Sequence, residues 1–172
     1  MLKSIRDFQG ATIFAYHVDN PENFGVVEFD KKGNVISIEE KPKDPKSNYA
    51  VPGLYFYDNN VIDLAKSITP SNRGELEITE INRMYLKASK LKVEILKSGI
   101  VWLDTGTYYN LMKASELVEM VQNTMGIHVG CIEEVAYRKG YIDEIQFNKI
   151  IDSILGNEYK KYLKKCLICK EK

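Results

Sequence analysis

The sequence predicts a mixed α/β fold ending in helices, and three observations carry that expectation. Segments rich in β-branched and aromatic residues crowd the chain up to Asp58. The apolar period then changes from two toward 3.6 after Asn59. Two further strand-like runs alternate with helical patterns before helices alone continue to the C-terminus.

Taken in order, residues 2–8 fit a short helix, and ATIFAYHV (residues 11–18) reads as a buried strand broken by Asn20 and Pro21. FGVVEFD, the turn KKGN and VISIEEK form a hairpin signal, with Gly33 and Asn34 suited to a left-handed position. Two prolines force KPKDPKS into a loop. YAVPGLYFYD (residues 49–58) reads as a returning strand, bulged or at an edge where Pro52 and Gly53 stand. Residues 61–68 form a short helix stopped by Pro70, and residues 77–88 a second one. LKVEIL alternates as a strand, residues 100–103 make another, and Thr107 caps a long helix to about Asn123 with a stripe of Leu111, Ala114, Leu117, Val118 and Val121 expected to be buried. Residues 132–139, 143–155 and 158–167 complete the helices.

At 172 residues the chain can form a domain that buries roughly 70% of its unfolded surface. With 44% apolar and 28% charged residues it is not a disordered polyelectrolyte. Lys plus Arg and Asp plus Glu number 24 each, so nothing favours a nucleic-acid surface. Cys131, Cys166 and Cys169 are an odd count in a Lys-rich chain for which no secretory leader is expected, which fits a reduced cytoplasmic setting. No apolar run approaches membrane-spanning length. The CxxC spacing of Cys166 and Cys169 is a weak zinc signal, because His17 and His128 lie far away in sequence; one face of a terminal helix accounts for it better. The Lys-rich ending is read as a solvated helix face.

Neither GxGxxG nor GxxxxGK[ST] follows a first strand, so the sheet lacks the usual phosphate-binding opening. In WLDTGT, Asp104 stands between an apolar run and a turn. Two readings stay open for it: a turn or cap aspartate before a helix, and a metal ligand.

FGVVEFD, ISIEEKP, SNYAVPGLYFYD, RGELEITEIN and WLDTGT, in that order, resemble the C-terminal part of the glucose-1-phosphate thymidylyltransferases, and the resemblance runs over essentially the whole chain. It implies a Rossmann-like nucleotidyltransferase mixed sheet, N-terminally truncated, with residues 1–124 as the sugar-phosphate half and 125–172 as a C-terminal helical region for regulation and subunit contacts. It also implies that dTDP-glucose and pyrophosphate are made from dTTP and glucose 1-phosphate with Mg2+, in a cytoplasmic homo-oligomer that uses neither nucleic acid nor membrane. The family's glycine-rich triphosphate loop and the aspartate sharing the metal lie upstream of what Met1 matches, so no turnover is expected from this chain alone.

In-line attack of a sugar phosphate on an α-phosphorus needs no protein nucleophile, only positioning and charge neutralisation. By the resemblance, Asp104 holds magnesium, Lys41 meets the sugar's phosphate and Arg73 is a second phosphate donor. Glu40 takes glucose hydroxyls, while Gly25 and Val51 mark close backbone approach to the sugar. Phe24 replaces a tyrosine frequent in the family, removing one hydroxyl. Trp102 and Tyr55 are candidate walls of the sugar pocket, with plain apolar packing as the other reading. Glu134 and Arg138 match a second, regulatory nucleotide site. Two alternatives remain at this point: a non-catalytic sugar-phosphate-binding or assembly module, and a nucleotidyltransferase of different base preference.

Overall fold

A computed structural model describes residues 9–168. The expected helix at residues 2–8, and Cys169, lie outside them. The described chain forms two compact units, one running to Trp102 and one starting at Leu103.

The first unit is built on β1 (Ala11–His17), which is buried along most of its length as a strand with neighbours on both faces must be. β2 (Gly25–Phe29) and β3 (Val35–Glu40) form the expected antiparallel hairpin. β4 (Tyr49–Ala50) and β5 (Tyr55–Tyr57) pair antiparallel with opposite ends of β1, in the order β3-β2-β4-β1-β5. β6 (Leu91–Ile95) lies parallel to β1, Ala11 facing Leu91 and Ala15 facing Ile95. The connection to β6 runs through α1 (Val61–Ser67) and α2 (Ile78–Lys87), giving the mixed sheet that was expected.

One apolar cluster joins Ile13, Ala15, Val27, Ile38 and Val51; another joins Ala11 to Ile81 and Tyr85 of α2. The period-two face of β1 therefore meets both the hairpin and the helix.

Asp58, just past β5, ties these layers. It accepts hydrogen bonds from the Gly10 N–H (2.8 Å), the Tyr85 hydroxyl (2.6 Å) and both the backbone and side-chain nitrogens of Asn60. The Tyr85 hydroxyl contributes most to holding the Asp58 carboxyl below its ordinary value of about 3.8, with Gly10 and Asn60 adding to it against the opposing effect of burial. A carboxyl depressed in the folded state stabilises the fold above its unfolded value, and that contribution is lost as pH falls through the folded one. Thermal melts from about pH 5 to about pH 3 should therefore show the gap between wild type and Asp58→Asn narrowing on acidification. A gap of constant size would contradict the assignment.

The second unit comprises α3 (Tyr108–Met125), α4 (Ile132–Arg138), α5 (Glu144–Ser153) and α6 (Asn157–Ile168). Thr107 caps α3 as expected, accepting from the Asn110 N–H at 3.1 Å. Asp143 and Gln146 form a capping box that starts α5. Phe147 and Ile151 of α5 pack with Tyr162, Leu163 and Cys166 of α6 and with Cys131 at the head of α4. Tyr137 stacks flat on Phe147, ring centres 4.6 Å apart. Burial pushes the Cys166 thiol up to about 11, and the Glu134 charge reinforces it, so Cys166 is a core thiol.

Four expectations need correction. Residues 100–103 are not a strand; this segment is tied by side chains, the Tyr16 hydroxyl donating to the Ile100 carbonyl and Trp102 standing edge-on to Tyr16 and Phe24. Residues 49–58 are two short strands, because Pro52 lacks an N–H and its carbonyl accepts the Leu54 N–H in a tight turn. The α3 stripe is not buried: Leu111 is 51% and Val118 36% exposed, and Ala114, Leu117 and Val121 are half-buried. The C-terminal core closes with residues of α4 to α6 and takes none from α3. In the β2–β3 turn Gly33 alone takes the left-handed conformation (φ +84°), while Asn34 bonds to Asp30 through its backbone and its side chain.

Candidate functional site

The hairpin register sets the site. Gly25 begins β2 and pairs with Glu40, which ends β3, while the next residue, Val26, pairs with Ala50 on the other side. The Val51 N–H donates to the Gly25 carbonyl at 2.8 Å, so three separate segments converge at Gly25. A Cβ placed on Gly25 would lie 3.2 Å from the Glu40 Oε2, 3.2 Å from the Thr79 Oγ1 and 3.8 Å from the Val51 Cβ. Glycine is what this convergence can hold without displacing a neighbour.

Thr79, in the first turn of α2, donates its hydroxyl to Glu40 in a short hydrogen bond. Thr79 is itself buried. Glu40 is mostly shielded, its side chain 21% exposed, and so offers a fixed acceptor rather than a mobile surface charge. Burial, with Glu40's charge second, raises the Tyr55 hydroxyl above its usual range, which places Tyr55 in the electrostatic field of Glu40. Trp102 reaches the start of β2 through Phe24, ring centres 4.9 Å apart.

Beside Glu40 opens a cleft of about 460 Å³, lined by Ser71, Arg73, Glu77, Thr79 and Arg83 among others. Arg73 is 3.0 Å from Glu75, 3.2 Å from Glu77 and 4.0 Å from Glu40. To grip a phosphate it would have to exchange carboxylates that it already holds. Lys41 is exposed and follows Glu40 with a left-handed backbone, φ +42°. That conformation costs an L-residue roughly 1–2 kcal/mol.

Of the expected residues Glu40 and Arg73 line this cleft, Gly25 and Val51 meet Glu40 behind it, and Tyr55 lies within the field of Glu40; Lys41 follows Glu40 in the chain, and Trp102 is reached through Phe24. Thr79, Ser71 and Glu77 belong to the same surroundings and were not singled out from sequence. Thr79 carried one signal, a hydroxyl in the first turn of a helix, but that is where a capping residue also stands.

Asp104 belongs to the second unit. Its carboxylate is exposed and folds over Gly106, whose hypothetical Cβ would lie 3.3 Å from Oδ2. Thr107, not Asp104, caps α3, so the helix start does not account for this acid. Among the described residues no group of three or more His, Cys, Asp or Glu could hold a metal by itself. One exposed carboxylate is not by itself a metal site, and magnesium there would need phosphate and water to complete its coordination. Glu134 and Arg138 also lie in the second unit and bond to each other at 2.7 Å, with the Tyr162 hydroxyl donating to Glu134. Burial tends to raise Glu134, but these hydrogen bonds and the charge of Arg138 together outweigh it and leave the carboxyl below its ordinary value. Burial, followed by the bond to Glu134, pushes the Tyr162 hydroxyl up to about 12.

Comparison with known proteins adds three findings. A family model described as nucleotidyl transferase matches residues 1–120. The glucose-1-phosphate thymidylyltransferase of Neisseria meningitidis is 49% identical over 158 residues, 92% of this chain and 55% of that protein; that of Mycolicibacterium smegmatis is 52% identical over 163 residues, 93% and 57%. A crystal structure of a candidate glucose-1-phosphate thymidylyltransferase from Bacillus anthracis, in complex with sucrose, superposes with a TM-score of 0.60 at 43% identity, covering 67% of this chain and 46% of that one. The chain therefore spans little more than half the length of the curated relatives it matches.

Proposed function

Since the chain belongs to the nucleotidyl transferase family, we propose that its first unit carries the sugar-phosphate site of a glucose-1-phosphate thymidylyltransferase. The observation that supports this best is the convergence of Gly25, Glu40, Val51 and Thr79 beside a polar cleft. A sugar in the cleft can donate its hydroxyls to Glu40, beside which the backbones at Gly25 and Val51 converge. Thr79 already donates to Glu40, which leaves the carboxylate's other lone pairs for the ligand and fixes its direction. Tyr55 and Trp102 are the candidate walls.

Lys41 then meets the phosphate as a point charge, with Arg73 as a second donor on release from Glu75 and Glu77. Holding that phosphate oriented toward the α-phosphorus of dTTP is the catalytic contribution of this half, since proximity and charge neutralisation carry such a reaction. Magnesium, held by Asp104, would neutralise charge on phosphate oxygens. The division into a sugar-phosphate half at residues 1–124 and a regulatory and subunit-contact region at 125–172, with Glu134 and Arg138 at a regulatory site, belongs to the same proposal. So do dTDP-glucose as product, homo-oligomeric assembly and a cytoplasmic setting. No helix of the described residues is long and apolar enough to cross a membrane.

Titration calorimetry tests the reading without nucleotide. Glucose 1-phosphate should bind saturably, and Lys41→Ala should weaken it about tenfold or more, the range for loss of a hydrogen bond to a charged group. Equal binding of glucose and glucose 1-phosphate would contradict the role of Lys41.

A further inference from the structure

Arg73 lines the cleft with both terminal nitrogens of its guanidinium engaged by carboxylates. Nη2 is 3.0 Å from Glu75, and Nη1 is 3.2 Å from Glu77 and 4.0 Å from Glu40. The two close contacts are unlike. Glu77 has its side chain only 15% exposed, accepts the Ser71 hydroxyl at 3.0 Å and stands immediately before α2. The Glu75 side chain is 61% exposed. Its backbone, by contrast, is pinned: the Ser71 N–H donates to the Glu75 carbonyl at 2.8 Å, and the Gly74 N–H to the Ser71 carbonyl at 2.8 Å, with Gly74 at φ +77° closing the turn. The Arg73 N–H donates to the Ser71 hydroxyl at 3.2 Å. With this loop set, Glu75 can leave Arg73 by turning its side chain into water, and no backbone movement is needed.

The charged residues lining the cleft are Glu40, Glu77 and Glu80 against Arg73 and Arg83, an excess of one negative charge. Arg83 is itself held, 3.2 Å from Glu80 and donating to the Ile38 carbonyl at 2.7 Å. Glu75, on the Arg73 side chain, adds a further negative charge. A phosphate entering this field gains from Arg73 when a carboxylate gives way to it. Breaking an exposed ion pair costs little, whereas stripping a shielded carboxylate of its partner costs much more. Glu75 is therefore the contact to be exchanged first, and Glu77 the one that keeps the guanidinium in place meanwhile.

We propose that Glu75 is a stand-in for the phosphate: in the empty cleft it occupies the edge of Arg73 that the sugar phosphate takes, and its displacement sets the affinity for that anion. This rests on the reading of Arg73 as a phosphate donor. The stand-in also serves selectivity, because a neutral sugar cannot replace a carboxylate on a guanidinium and so gains nothing from Arg73.

Calorimetry on the whole chain tests it. Glu75→Gln, which keeps the size of the side chain and removes its charge, should bind glucose 1-phosphate about threefold to fivefold more tightly than wild type, the range for release from one exposed ion pair. Glucose binding should not change. In the Arg73→Ala background the gain should vanish, because it passes through the arginine and is not a general relief of negative charge. Glu75→Ala should give the same readings with the side chain removed, so the result does not hang on the amide of glutamine. Wild-type or weaker binding of glucose 1-phosphate by both Glu75 variants, an equal gain for glucose, or a comparable gain in the Arg73→Ala background overturns the proposal alone. Absence of binding by the wild-type chain, or unchanged binding by Arg73→Ala, removes the reading of Arg73 and the proposal with it.

Discussion

Gly10→Ala should destabilise the sheet-bearing unit by about 2–6 kcal/mol, the sum of a strained backbone and a steric overlap. Gly10 sits at φ +112°, where side chains are rarely accommodated, and a Cβ there would lie 2.3 Å from the Lys90 carbonyl oxygen. That oxygen cannot move aside freely, because it accepts the Ala11 N–H at 2.8 Å. Gly10 cannot retreat either: its N–H is bound to the Asp58 carboxylate, and its carbonyl accepts the Asp58 N–H at 2.9 Å. The added methyl therefore strains the junction of β1, β5 and β6 together. Urea melts followed by far-ultraviolet circular dichroism measure the loss. A denaturation midpoint equal to wild type would show that the close approach at Gly10 is not a constraint.

Gly25→Ala should have its largest effect on binding. Gly25 is not at positive φ, so the backbone accepts alanine, and an overpacking cost of about 1–3 kcal/mol is expected in stability. The methyl would press on the Glu40 carboxylate and the Thr79 hydroxyl from 3.2 Å and turn them from the direction in which they would meet a sugar. Displacing a charged acceptor from its ligand forfeits about 1.5–3 kcal/mol. Together with the lost close approach, the affinity for glucose 1-phosphate should fall about 100-fold. Calorimetry on the folded variant reads this directly, and unchanged affinity would place the sugar elsewhere.

The elements that were legible in sequence are those whose period speaks locally. The buried run at β1, the hairpin around KKGN, the Thr107 cap of α3 and the three terminal helices follow from composition, turn chemistry and capping, each decided within a few residues. What local pattern could not decide was pairing. Residues 100–103 have a strand's composition but are held by Tyr16 and Trp102 instead of a ladder. The α3 stripe has a core helix's spacing, yet α4 to α6 close their core without it.

The candidate site divides in the same way. Glu40, Lys41 and Gly25 stood out through ordered motifs, and the register of β2 against β3 explains why Gly25 and Glu40 belong together: they are cross-strand partners. Thr79 lies 39 positions from Glu40 in the chain, so its hydrogen bond is a product of tertiary folding that no spacing announces. The strain at Lys41 was equally hidden, because EEKP names the residues and says nothing of φ.

The central claim is that the pocket beside Glu40 and Thr79, where Gly25 and Val51 converge on Glu40, holds the sugar of a sugar phosphate. Soaking crystals of this chain in glucose 1-phosphate tests it most directly. The expected electron density places glucose hydroxyls on the Glu40 carboxylate, the ring against the backbone at Gly25 and Val51, and the phosphate within reach of Lys41. A saturating soak that leaves this pocket without sugar, or seats it against other residues, would contradict the account.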